Sequence, residues 1–111
     1  MQVKDIVSIL ELKVFGGCQG LTREITGGYS SDLLSDVIGH ADTGKIWITL
    51  QTHKNVIAVA SLKDLAAVIL IKGFEPDKDM LEQAEEEGIP VLGTQNQAFE
   101  INGKLYNLIA R

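Results

Sequence analysis

The sequence has few of the residues on which metal and redox chemistry depend. Its 111 residues include one cysteine, Cys18, so neither an internal disulfide nor a multi-cysteine zinc site can form. The two histidines, His40 and His53, have no second histidine at the spacing of a helical metal site. We therefore expect no metal ion, no cofactor and no catalytic residues, and a single thiol fits a reducing, cytoplasmic compartment.

Long hydrophobic runs and clusters of positive charge are also missing. The longest fully apolar run, residues 65–71, is far shorter than the roughly 20 residues of a membrane-spanning helix. Asp5 and Glu11 interrupt the apolar start of the chain, so we expect no signal peptide. The formal net charge is −5 and the ten basic residues are scattered, which argues against nucleic acid or an anionic membrane surface as partner.

The residues that are present alternate between helical and strand patterns, which predicts a single α/β domain over residues 1–111. We expect helices over residues 3–10, 30–41, 52–62 and 76–87, the last with Gly88 as its C-cap. The expected caps of the second and third helices are Ser30, Ser31 or Asp32, and Thr52 with Asn55. We expect strands over residues 13–15, 22–26, 45–51, 66–72 and 89–93, with Gly27 and Gly28 ending the second strand.

The last segment, from Thr94 to the end, fits two structures. Asn102-Gly103 between FEI and KLY is typical of a hairpin turn. Thr94 is a good helix cap, and the apolar residues that follow it share a helical face. We favour the helix, although an interior glycine costs about 1 kcal/mol relative to alanine.

The stretch GHADTGKI, residues 39–46, resembles a phosphate-binding loop one residue short. A true loop of this kind joins a strand to a helix, whereas here the stretch follows a helix and precedes a strand. Ile46 also replaces the hydroxyl residue that would hold magnesium. We therefore predict no nucleotide bound by residues 39–46, and no contribution of Lys45 to nucleotide affinity.

Polar residues follow several predicted strands, where the carboxyl ends of parallel strands form the usual ligand crevice of α/β proteins. Ser30, Ser31, Thr52 and Thr94 would present hydroxyls and free helix N–H groups there, suited to a small anion or polar metabolite. The alternative is that these residues only cap helices.

Several motifs together resemble the DRTGG domain family. They are TREITGGYSSDLLSDV, WITLQTH-x-N, VASLKDLA and E-x-GIPVL-x-T, and the resemblance runs from about residue 5 to the end. The residues that name the family correspond to Thr22 (where the family has Asp), Arg23, Thr26, Gly27 and Gly28. The change at Thr22 removes a carboxylate that would pair with Arg23.

The family is similar to the N-terminal domain of bacterial HPr kinase/phosphorylase and, in fold, to that of the late Mur ligases. This resemblance implies a three-layer α/β/α sandwich with a mixed, partly parallel sheet. It also implies a non-catalytic domain, since the kinase's phosphate loop lies in another domain. Such domains accompany CBS pairs in inorganic pyrophosphatases and precede phosphotransacetylase domains, which implies regulation or association.

Two functions follow as hypotheses. The first is a stand-alone, non-enzymatic regulatory domain that self-associates or binds a protein partner. The second is a sensor of a nucleotide or phosphorylated metabolite. The candidate ligand-binding residues are Arg23, Thr26, Gly27, Gly28, Ser30, Ser31, Asp32, Thr52, His53, Asn55 and Thr94.

We also expect a homodimer, because the chain has more large apolar residues than a small sheet readily buries, among them Trp47, Tyr29, Phe74, Phe99 and Tyr106. We expect the contact at the strand-end loops and the helix near Thr52.

Overall fold

Helices and strands alternate along the chain in the computed structural model, which describes residues 1–109; Ala110 and Arg111 lie outside the described residues. The elements are α1 Val3–Ile9, β1 Lys13–Gly16, a 3₁₀ turn Cys18–Gly20, β2 Gly27–Ser30, α2 Leu34–His40, β3 Lys45–Thr49, α3 Asn55–Leu62, β4 Ala67–Leu70, α4 Lys78–Glu87, β5 Val91–Gly93 and α5 Ala98–Ile109.

The strands form one mixed sheet in the order β1-β5-β4-β3-β2. β2, β3, β4 and β5 are parallel to one another, and β1 is antiparallel to β5. The four parallel strands therefore end together at one side, which we call the carboxyl end of the sheet, and begin together at the amino end. β4 is central and fully buried, as its continuous apolar run predicts.

The sheet has helices on both faces, which confirms the three-layer arrangement. On one face, α2, α3 and α4 bury their apolar residues against Trp47, Val68 and Val91. On the other face, α1 and α5 pack against Ile46, Ile69 and Leu92. Alternate residues of each strand thus supply the two cores, because successive side chains of a strand point to opposite faces.

The second strand lies later than the sequence predicts. We expected a strand over 22–26 that stops at Gly27 and Gly28, but these two glycines begin β2 and pair with Lys45 and Ile46 of β3. Glu24, inside the expected strand, forms only an isolated bridge with Gln2. The low strand propensity of glycine is outweighed here by the pairing with the buried β3 strand.

The predicted helix caps are also wrong for α2 and α3. α2 begins after Leu33 and α3 after Lys54, and neither helix has a side-chain cap. Ser31 instead accepts the N–H of Leu33 at 3.2 Å, and the Thr52 hydroxyl donates to Asp77 at 3.3 Å. Leu33, which precedes α2, and Leu62, at the end of α3, are 62% and 69% exposed.

The ambiguous last segment is helical through Ile109, which confirms α5 over the hairpin. Ile101 and Leu105 are its buried residues, whereas Phe99 and Tyr106 face solvent. Trp47, which we counted among the surplus apolar residues, is completely buried and donates its indole N–H to the Ser31 carbonyl at 2.8 Å. The apolar surplus is therefore smaller than expected.

Candidate functional site

Two glycines begin the edge strand β2 and leave both of its faces open to close approach. A Cβ at Gly27 would lie 2.8 Å from the ammonium nitrogen of Lys45, on β3. A Cβ at Gly28 would lie 3.2 Å from Cδ2 of Leu105, on α5. The missing side chains therefore let Lys45 extend over the strand on one side and let α5 approach it on the other.

The backbone of β2 also has an open edge, because β2 pairs only with β3 within residues 1–109. The N–H of Thr26 donates to the Gly44 carbonyl at 2.9 Å, at the start of the β2–β3 pairing. The N–H of Ser31 donates to the Ile48 carbonyl at 3.2 Å. Because backbone groups of successive strand residues point to opposite sides, those of Tyr29 point to β3 and those of Gly28 and Ser30 point away from it. These groups are available to a ligand at the edge.

A cavity of about 380 Å³ lies between this strand and α5. Its volume falls within the range of small-molecule sites, which runs from about 300 to 1,000 Å³. Its lining residues are Thr26, Gly27, Gly28, Tyr29, Ser30, Lys45, Ile48, Asn102, Leu105, Tyr106 and Ile109.

Lys45 brings positive charge to the rim of the cavity, where its ammonium extends over Gly27 at the open edge of β2. Its nearest acidic group is Asp42, whose Oδ1 lies 3.8 Å from the ammonium nitrogen. The Asp42 side chain is 76% exposed, so this ion pair is weak and leaves the ammonium able to bind an anion. GHADTGKI joins α2 to β3, as predicted, so Lys45 reaches the cavity from a strand and not from a phosphate loop.

Asn102 adds an unpaired amide oxygen. Its Oδ1 is buried and accepts no hydrogen bond from the residues that the structure describes. A buried polar atom without a partner costs about 1–3 kcal/mol, so a donor on a bound molecule would be favourable there. Ile48, Leu105 and the exposed ring of Tyr106 provide the apolar part of the wall.

Behind the cavity, Tyr29 belongs to a small polar cluster. Its hydroxyl donates to Asp36 at 2.9 Å, and His40 Nδ1 lies 3.1 Å from the same carboxylate. The hydrogen bond to Asp36 raises the pKa of Tyr29 above its ordinary value. Hydrogen bonds from Ser31 and then Tyr29 lower the pKa of Asp36, and His40 adds to this. The cluster holds Tyr29 against α2.

At the carboxyl end of the sheet, the predicted crevice residues mostly bind one another. Asp32 accepts the Thr49 hydroxyl at 2.7 Å and the Leu50 N–H at 3.0 Å, and its carbonyl accepts the Gln51 side chain. Thr94 accepts the N–H of Asn96 at 3.1 Å. The expected free N–H groups are therefore largely used within the chain.

The loops after β4 and β5 are also hydrogen-bonded to each other, because the N–H of Gly73 donates to the carbonyl of Thr94 at 2.9 Å. A smaller cavity of about 150 Å³ remains beside Thr94 and Phe74. His53 is exposed, and Asn55 begins α3.

Arg23 lies at the opposite, amino end of the sheet. Its Nε donates to the carbonyl of Gly88, the C-cap of α4, at 3.3 Å. Its Nη1 lies 3.3 Å from Oδ1 of Asp64. A guanidinium at a helix C-terminus satisfies a free carbonyl and complements the helix dipole. Arg23 thus finds in Asp64 the acidic partner that Thr22 does not provide, and these contacts tie the amino ends of the strands together.

The candidate residues therefore fall into separate groups. Thr26, Gly27, Gly28 and Ser30 line the cavity; Ser31, Asp32, Thr52, His53, Asn55 and Thr94 lie at the carboxyl end, and Arg23 lies at the amino end. Lys45, Asn102 and Tyr106 were missed. The sequence predicts a strand that begins at Lys45 but places Gly27 at the end of one, so nothing in it shows that these two residues begin neighbouring parallel strands.

Within residues 1–109 no group of three or more His, Cys, Asp or Glu residues is placed to hold a metal ion. None of the helices in that range is both long and apolar enough to cross a membrane.

Comparison with known proteins gives a family and a fold. The family model described as the DRTGG domain matches residues 5–108. No curated protein matches the chain.

Among solved structures, the chain is similar to the CBS and DRTGG domains of the regulatory region of Clostridium perfringens pyrophosphatase, complexed with the activator diadenosine tetraphosphate. The TM-score is 0.67 at 16% identity, and the match covers 94% of this chain and 45% of that chain. The chain thus spans less than half of that structure, and at this identity the likeness is one of fold.

Proposed function

Because the chain belongs to the DRTGG domain family, we propose that it is a non-catalytic regulatory domain that senses a nucleotide or similar phosphorylated metabolite. We place the ligand in the cavity between β2 and α5. The observation behind this proposal is the cavity's composition: one ammonium group, one unpaired amide oxygen and an aromatic and aliphatic wall around a glycine-rich strand.

The polar groups suit an anionic ligand. Contrary to our sequence-based prediction for Lys45, its ammonium would pair with a phosphate, and the outward N–H groups of Gly28 and Ser30 would donate to the phosphate oxygens. Side chains at both glycine positions would obstruct this approach, because a Cβ at Gly27 would already meet the lysine.

The apolar wall suits a ring. Tyr106 offers a face on which a base can stack, and Leu105 of α5 and Ile48 of β3 would contact the base from the helix and from the sheet. If the Asn102 side chain turns towards the cavity, its oxygen, which is buried without a partner among the described residues, would accept an exocyclic amino group, as adenine has. A nucleotide activator is present in the regulatory region whose fold this chain resembles, which supports the same ligand class here.

We propose a regulatory and not an enzymatic role because the cavity lining has an ammonium and an amide but no nucleophile paired with a base. The single cysteine supports a cytoplasmic location.

The proposal is tested by titrating AMP and adenosine into the protein in a calorimeter. We expect AMP to bind more tightly than adenosine, because only AMP provides a phosphate for Lys45. In Lys45→Met, AMP affinity should fall about tenfold or more, since a hydrogen bond to a charged group is worth about 1.5–3 kcal/mol.

The matched control is Lys78→Met, which removes a lysine from α4 on the other face of the sheet and should leave AMP affinity unchanged. Absence of AMP binding at millimolar concentration, or equal affinity in wild type and Lys45→Met, would contradict the proposal.

A further inference from the structure

The outward face of α5 has two exposed aromatic rings on either side of a glycine. Phe99 is 89% exposed and Tyr106 is 69% exposed. With Gly103 they occupy positions i, i+4 and i+7, which lie on one side of a helix. Large aromatic rings at such exposure are typical of a surface that is covered in an assembly.

No contact among the described residues explains why position 103 is a glycine. It lies inside the helix, where glycine is unfavourable, and a Cβ added there would have no described atom within 4 Å. A missing side chain at the centre of an exposed helix face allows a second helix to come close, because interaxial distance depends on the side chains at the contact.

Charge indicates which partner would fit. α5 has one acidic and one basic residue, Glu100 and Lys104, both exposed and on one flank of the face formed by Phe99, Gly103 and Tyr106. By contrast, α4 has five acidic residues and one basic residue, so two copies of α4 would repel.

We propose that two copies of this chain associate through α5, packed antiparallel about a two-fold axis near Gly103. Phe99 of each copy then meets Tyr106 of the other, and Glu100 of each copy meets Lys104 of the other. The face is self-complementary, as a two-fold interface requires. This contact lies on α5 and not at the strand-end loops or the helix near Thr52, and it does not depend on a ligand in the cavity.

The contact is one helix from each copy, so the dimer is of the small, weak class and needs concentrations well above micromolar. Sedimentation velocity without ligand, up to a few hundred micromolar, should show a monomer–dimer equilibrium. Phe99→Ala should weaken it at least about tenfold, because central aromatic residues dominate interfaces. Leu62→Ala, which removes an apolar residue that is 69% exposed from α3, should leave the association unchanged.

Two charge variants test the pairing itself. Glu100→Lys alone places two lysines together at each contact, and Lys104→Glu alone places two glutamates together. Each should dimerise several-fold more weakly than wild type, and an equal mixture should recover wild-type association, because the mixed pair restores both opposite-charge contacts. Circular dichroism checks that each variant is folded.

Weakening of both single variants together with recovery in their mixture requires a second copy in antiparallel orientation, because in a parallel pair the wild type would already have like charges together and the variants would be no weaker. The proposal is overturned if the wild type stays monomeric at every concentration, if Phe99→Ala leaves the dimer unchanged, or if the mixture of folded charge variants does not recover.

Discussion

Gly17 and Gly88 have the same left-handed backbone conformation in different surroundings. Their φ angles are 73° and 65°. A Cβ at Gly17 would lie 2.0 Å from the Ile89 carbonyl oxygen, whereas at Gly88 the nearest atom would be Gln19 Cβ at 3.8 Å. Only the first position therefore requires glycine for space as well as for conformation.

We expect Gly88→Ala to cost about 1–2 kcal/mol of unfolding free energy, which is the conformational penalty alone. Gly17→Ala should cost roughly 3 kcal/mol or more, because the backbone around Ile89 must also shift. Urea unfolding of the two variants measures the difference. Equal losses would show that the close approach at Gly17 does not constrain the fold.

The Tyr29–Asp36 pair makes stability depend on pH at both extremes. Because the pKa of Asp36 is lowered, its ionised carboxylate stabilises the fold at pH values above the ordinary carboxyl pKa. This contribution to the free energy of unfolding is lost as pH falls through the lowered pKa. Because the pKa of Tyr29 is raised, its contribution is present below about pH 10 and is lost as pH rises through the raised pKa.

Asp36→Ala should therefore make the free energy of unfolding less dependent on pH, both at low pH and above about pH 10. It should also return the Tyr29 titration, followed by NMR of its ring carbons, towards the ordinary tyrosine value. If the Tyr29 titration is the same in the variant, the hydrogen bond between them does not form in solution.

At the scale of elements, the sequence predicts those whose pattern is local. α1, α4 and α5 have one apolar stripe each, and β4 is a continuous apolar run, so periodicity and run length suffice. The left-handed C-cap at Gly88 can also be predicted from the sequence, because this glycine directly follows the acidic helix.

β2 and the cavity beside it depend on contacts between distant residues. Gly27 becomes a strand residue only because Lys45 and its neighbours offer an edge for pairing, and Gly28 matters because Leu105 packs onto it. No spacing in the sequence brings these positions together. For the same reason the sequence suggests a role for Lys45 only within residues 39–46, although its ammonium extends over Gly27 of the neighbouring strand β2.

The predicted caps fail for a related reason. Ser31 and Thr52 have the right residue types, but their hydroxyls bond to loop groups near the carboxyl end of the sheet. Local propensity places a polar residue near a helix start, and tertiary contacts decide which hydrogen bond it makes.

At the scale of the whole molecule, the two proposals use neighbouring sides of α5. Asn102 and Leu105 face the cavity, and Phe99 and Gly103 face solvent. Tyr106 borders both regions, which makes α5 the element through which ligand and assembly would communicate in a regulatory domain.

The most direct measurement is a map of backbone amide shifts on titration with AMP. The proposed site predicts the largest shifts in residues 26–30, at Lys45 and at residues 102–106. Shifts clustered instead at Thr52, His53 and Thr94 would place the ligand at the carboxyl end of the sheet and contradict the cavity between β2 and α5.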